Sequence, residues 1–133
     1  MELKWDEDQV HLKLKKLDLG YSEYLFQLPN LSGAINLERI NLKGCKSLVE
    51  IPSFFKDLNK LKYLNLSDCV KLEDGIENLP LSIRDLKLRW TAIISLPESI
   101  WKMKYLKELD LSHCQKLEKL PEIPEDCTSS SLG

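Results

Sequence analysis

Residues 37–52, LERINLKGCKSLVEIP, carry two apolar patterns in succession. Leu37, Ile40 and Leu42 come first, with single polar residues alternating through Ile40–Asn41–Leu42, which is the period of a strand. Cys45 closes that part. Leu48, Ile51 and Pro52 follow, and the proline ends regular hydrogen bonding and starts a return path. The same order recurs four times in the chain. It reads LKKLDLGYSEYLFQLP from Leu14, LKYLNLSDCVKLED from Leu61, IRDLKLRWTAIISLP from Ile83 and LKELDLSHCQKLEKLP from Leu106. Successive starts differ by 23, 24, 22 and 23 residues.

A period in the range of about 20 to 29 residues is that of leucine-rich repeats. One such strand cannot bury its leucines alone, so the units must stack into a parallel ladder with a spacing of about 4.8 Å and a shared interior. Between the prolines and the next strand, GAINLERI, FFKDLNKL and ESIWKMKYL space their apolar residues by three and four, as a short helix or 3₁₀ turn does. A helix is wider than a strand, so the ladder bends with its strands inside. The expected fold is therefore α/β: a leucine-rich-repeat solenoid forming a short right-handed horseshoe arc, with parallel strands on the concave face and irregular or short helical turns on the convex face. Residues 1–13 read as a partial preceding repeat, 14–126 as five repeats and 127–133 as a disordered tail. Both ends look cut, and a fragment, a truncated gene product or one exon of a larger receptor is expected. The third unit is irregular, with Gly75, Ile76, Leu79 and Pro80 where the others have LxxLP, and a local distortion of the arc is expected there.

The hydrophobic fraction of 43% and charged fraction of 30% belong to a folding chain, and a net charge of −2 gives no global attraction to nucleic acid or an anionic membrane. No window approaches the ~18 apolar residues of a membrane span. The opening MELKWDEDQV is acidic where a secretory signal would be apolar, so the cytosol or nucleus is expected. Ser22, Cys45, Cys69, Thr91 and Cys114 end the five strands. Each is small and weakly polar, suited to meeting backbone groups that the turn leaves unpaired. Stacking spreads the three sulfurs along the solenoid, whereas a zinc site needs ligands converging on one point. No metal, cofactor or small-molecule substrate is expected. Cys127 has no base beside it, and the chain reads as non-catalytic.

The turns GCKSL, DCVKL and LSHC, together with LPESI, resemble the leucine-rich region of plant intracellular immune receptors of the nucleotide-binding class with an N-terminal Toll/interleukin-1 receptor domain. The resemblance runs from about Leu3 to about Pro124. It implies a non-catalytic recognition module of plant defence, whose partner is a pathogen effector, a guarded host protein or another domain of the parent receptor. An autoinhibitory or scaffold segment, or a non-functional truncated fragment, is the alternative. The phosphate loop of such receptors is not in this sequence, so nucleotide binding does not carry over.

On such a solenoid the non-leucine strand positions face outward on the concave side. They comprise residues 15, 16, 18, 20 and 21 and their equivalents in the other four units, with nine basic residues against six acidic ones. A +3 face on a −2 chain leaves the convex side acidic and favours a partner with an acidic patch. The residues expected to bind protein are Tyr21, Arg39, Lys43, Tyr63, Asn65, Lys87, Arg89, Trp90 and His113, since aromatic and arginine side chains dominate interface hot spots. Trp101, in a return segment, is expected to pack internally.

Overall fold

The computed structural model describes residues 12–121. The partial repeat expected at 1–13 falls almost wholly outside those residues, as do Cys127 and the tail at 127–133. Five strands form one parallel sheet in sequence order: β1 Lys16–Asp18, β2 Arg39–Asn41, β3 Tyr63–Asn65, β4 Asp85–Lys87 and β5 Glu108–Asp110. The register is unbroken. Leu17, Ile40, Leu64, Leu86 and Leu109 are successive Cα partners, so the alternating apolar position of every unit lands on the same side.

That side is the core. The leucines after the three inner strands, Leu42, Leu66 and Leu88, are fully buried, and they join Leu25, Leu48, Leu72 and Ile93 from beyond the turns and Leu31, Phe55, Leu58 and Ile100 from the return segments. Leu17 in β1, Leu19 beside it and Leu111 beside β5 are half-buried, each having a neighbouring unit on one side among the described residues. The core is one strip running along the ladder, as stacked units require.

The return segments take the tighter of the two expected helical forms. Ser53–Asp57, Ile76–Asn78 and Glu98–Lys102 are 3₁₀ helices, and GAINLERI, the first return segment, crosses by turns alone. Proline stands immediately before the first and third of these helices in extended backbone, with φ of −63° at Pro52 and −73° at Pro97. There it removes an N–H that a helix start cannot pair. Trp101 packs against the core, and its Nε1 donates to the Pro121 carbonyl at 3.3 Å.

The irregular third unit leaves the ladder intact. Its deviation is taken up at Gly75, whose φ of +87° belongs to the left-handed region. A Cβ there would lie 2.3 Å from the Ile51 carbonyl oxygen, so only glycine lets this segment lie against the preceding unit. Asn78 then donates to that same oxygen at 2.9 Å, tying the two return paths together. The expected distortion is local to the return segment, and Leu64 still pairs with Leu86.

Candidate protein-binding face

The outward side of the sheet holds three rows that run across the strands. The first is Lys16, Arg39, Tyr63, Asp85 and Glu108, which are successive Cα partners. The second is Asp18, Asn41, Asn65, Lys87 and Asp110, in the same register. One residue past each strand end come the inward-facing leucines, and beyond them lies a third outward row: Gly20, Lys43, Ser67, Arg89 and Ser112.

Two shallow hollows lie on this face. One, of about 310 Å³, is lined by Lys16, Asp18, Arg39, Tyr63, Asp85 and Lys87 among others. In it the Arg39 guanidinium sits over the Tyr63 ring, 3.9 Å from the centroid. The other, of about 420 Å³, joins Lys43, Asn65, Asp68, Lys87, Arg89, Trp90 and Asp110. The face therefore brings together Arg39 with Tyr63, and Lys43, Asn65, Lys87, Arg89 and Trp90 around a second opening. His113 stacks on Trp90, with ring centroids 4.4 Å apart and planes within 5°. Tyr21 stands apart from both hollows and lays its ring over Gly44, where an added Cβ would come within 2.6 Å of the ring.

Lys15, Glu38, Lys62, Arg84 and Lys107 do not share this face. Glu38, Lys62 and Arg84 line a separate opening at the strand-entry edge with Asn59, Lys60, Ser82 and Tyr105. The strands are only three residues long, so the residue before each of them belongs to the edge. This divides the expected +3 face. The edge row carries four basic residues and one acidic, and the remaining positions carry five of each sign. The sheet face itself is neutral, with its charges sorted by position. The expected acidic convex side is also corrected: away from all these positions the described residues hold nine basic groups against eight acidic ones. The acidic surplus of the sequence lies in residues 1–11 and 122–133, with seven acidic side chains and one basic.

A leucine-rich-repeat family model matches residues 36–58 and 105–127. Over 93% of its length the chain is 34% identical to the disease resistance protein RPP2A of Arabidopsis thaliana, covering 11% of that protein. It is 35% identical to the disease resistance protein RPP4 of the same plant over 96% of this chain and 9% of that one. A third relative, the Arabidopsis protein SUPPRESSOR OF npr1-1, CONSTITUTIVE 1, is 46% identical over 61% of this chain and 6% of its own length. This chain carries leucine-rich repeats similar to those of plant disease-resistance proteins. It spans about a tenth of the length of the first relatives it matches.

Each leucine-rich repeat builds its part of the face by the same local devices. The residue in the second row turns back on its own chain: Asp18, Asn41, Asn65 and Asp110 accept from the N–H two residues on, at 2.9 to 3.0 Å. Asn65 thus has its side-chain oxygen engaged with Ser67. Lys87 occupies this position in the fourth repeat and can form no such turn, which frees its ammonium group for the hollow. Asp110 is held below the usual carboxylate range chiefly by the Ser112 side chain and backbone N–H, with burial opposing and Arg89 and Lys87 assisting.

The next device is backbone. The residue before each Ser, Cys or Thr has a left-handed conformation in every repeat: Tyr21 (φ +61°), Gly44 (+76°), Asp68 (+64°), Trp90 (+59°) and His113 (+59°). This carries one further rung past the strands, with Tyr21, Gly44, Asp68 and Trp90 donating to the carbonyls of Lys43, Ser67, Arg89 and Ser112. Read from sequence, these residues stand on the face without their left-handed backbone, for which Gly44, Asp68 and His113 are the available signals. The last device is the thiol. Cys45, Cys69 and Cys114 donate to the carbonyls of Leu19, Leu42 and Leu88 in the preceding repeat, at 3.0 to 3.2 Å. Thr91 serves its own repeat, donating to Leu88 at 2.9 Å. Burial pushes the Cys69 thiol up to about 12 and raises Cys45 as well. Such thiols are neutral structural donors at physiological pH, and nucleophilic or metal-ligand chemistry requires the thiolate.

Proposed function

We propose that this chain is a protein-recognition module of plant defence, acting in the cytosol or nucleus without catalysis. The observation that carries the reading is the strand face. Five rungs in register hold Arg39, Tyr63, Lys87, Arg89, Trp90 and His113 on a rigid, solvent-open surface that the core does not use. Aromatic and arginine side chains on a fixed scaffold are the composition of interface hot spots. Similarity to plant disease-resistance proteins supports the defence role, with a pathogen effector or a guarded host protein as partner. Because the chain corresponds to about a tenth of those relatives, a second reading has support: the same face contacts another domain of a longer receptor, of the Toll/interleukin-1-receptor nucleotide-binding type, and restrains it.

The test is capture from challenged and unchallenged leaf tissue by the chain and two sets of variants. Lys87→Glu with Arg89→Glu and Trp90→Ala disrupts the face. Lys56→Glu with Lys102→Glu alters the return-segment side, where both lysines are exposed. A protein captured more after challenge, lost with the face variant and kept with the other, supports the reading. Equal capture by both variants contradicts it.

A further inference from the structure

Along the ladder, the first row runs Lys16, Arg39, Tyr63, Asp85, Glu108: two cations, an aromatic ring, two carboxylates. No other row is sorted in this way. Asp85 and Glu108 are direct neighbours across strands, and like charges so placed repel. Neither carboxylate forms an ion pair among the described residues. The Oδ1 atom of Asp85 is buried and has no hydrogen-bond partner among the described residues, so the carboxylate end of the row carries negative charge that the chain leaves uncompensated. At the other end, among the described residues, the Arg39 guanidinium lies over the Tyr63 ring, and Lys16 is exposed.

Resting on the reading of this face as a protein-binding surface, we propose that the row takes an extended segment of a partner protein with an acidic residue, an apolar or aromatic residue and a basic residue at alternate positions. The segment lies across the strands. The midpoint of Lys16 and Arg39 is three rungs from the midpoint of Asp85 and Glu108, about 14 Å at the usual strand spacing. Four residues of extended chain cover about 13 Å, and residues i, i+2 and i+4 point the same way. The acidic side chain then meets Lys16 and Arg39, the central one covers the Tyr63 ring in the middle rung, and the basic one meets the Asp85 and Glu108 carboxylates. The hollow lined by Lys16, Arg39, Tyr63 and Asp85 is the floor of this track.

Fluorescence anisotropy of the full chain at low ionic strength, with three labelled peptides, tests the proposal. Their cores are Glu-Ser-Leu-Ser-Arg, Glu-Ser-Leu-Ser-Glu and Arg-Ser-Leu-Ser-Arg, in identical Gly/Ser flanks. The mixed peptide is expected to bind about tenfold more tightly than either single-sign peptide, since each of those meets one end of the row with like charge. Variants then redirect the preference. Lys16→Glu with Arg39→Glu makes the row acidic and should favour the doubly basic peptide. Asp85→Lys with Glu108→Lys makes it basic and should favour the doubly acidic one. A gained preference also shows that the variants fold. Equal binding of the three peptides, no binding, or variants that keep the wild-type order would overturn the proposal. If capture in leaf tissue still depends on Lys87, Arg89 and Trp90, those results leave the recognition reading standing and remove this track alone.

Discussion

Cys69 shows how one side chain serves the stack. Its thiol is fully buried, donates to the Leu42 carbonyl of the repeat before, and sits in a row with Cys45. Because burial raises its folded value to about 12 from 9.0, the folded chain disfavours the thiolate relative to the unfolded chain. The stability this contributes is fully present below pH 9 and lost as pH climbs toward 12. Urea titrations at rising pH are expected to show it, with the decline above pH 9 weakened in Cys69→Ala. Gly75 makes a second residue-scale prediction. Gly75→Ala introduces a Cβ against the Ile51 backbone at positive φ, and should cost about 3 kcal/mol in urea unfolding. That the small residues Cys45, Cys69, Thr91 and Cys114 after the strands meet backbone groups was readable in their side-chain chemistry. That the residue before this position in each repeat turns left-handed was not, because Tyr21 and Trp90, which stand there in two of the five repeats, are not residue types that signal such a backbone.

At the scale of the element, the strand and its exit turn act as one unit. Four repeats close the turn with an Asp or Asn oxygen on the N–H two residues on, and the fourth repeat has Lys87 instead. Lys87→Asn would give the Arg89 N–H the acceptor its counterparts have. It should raise stability by about 0.5–1 kcal/mol in urea unfolding while weakening any partner that depends on the Lys87 ammonium. Stability gained together with binding lost would place Lys87 as a functional departure from the repeat pattern. The Asp110 turn has a pH signature of the opposite sign to the thiols. Its depressed carboxyl adds stability above the ordinary value of 3.8, lost as pH falls below it, and Asp110→Asn should flatten that part of an acid unfolding curve. The strands were legible from alternation because each has one face in the core. Their short length was not, and it is why Lys15, Glu38, Lys62, Arg84 and Lys107 fall at the edge and the face proper is neutral.

Over the whole molecule, stacking makes the interior and the face from the same five strands. Leu64, in the middle strand, is 1% exposed with a neighbour on each side, while Leu17 at the end of the ladder is half-buried. Leu64→Ala should therefore cost about 3–5 kcal/mol and Leu17→Ala clearly less, both read from the midpoint of urea unfolding. The spacing of repeats made this architecture readable in advance, since a leucine pattern recurring every two dozen residues is that of leucine-rich repeats, whose stacked units share one interior. The balance of charge over the surface was misjudged because the net charge was set against the strand face as a whole, although the acidic surplus lies in residues 1–11 and 122–133. Both the core and the sorted row Lys16, Arg39, Tyr63, Asp85, Glu108 depend on one register. Nuclear Overhauser measurements on the labelled chain test it most directly. Backbone proton contacts should link Arg39 with Tyr63, Tyr63 with Asp85 and Asp85 with Glu108, and skip no strand; contacts shifted by one residue, or none between these pairs, would contradict the account.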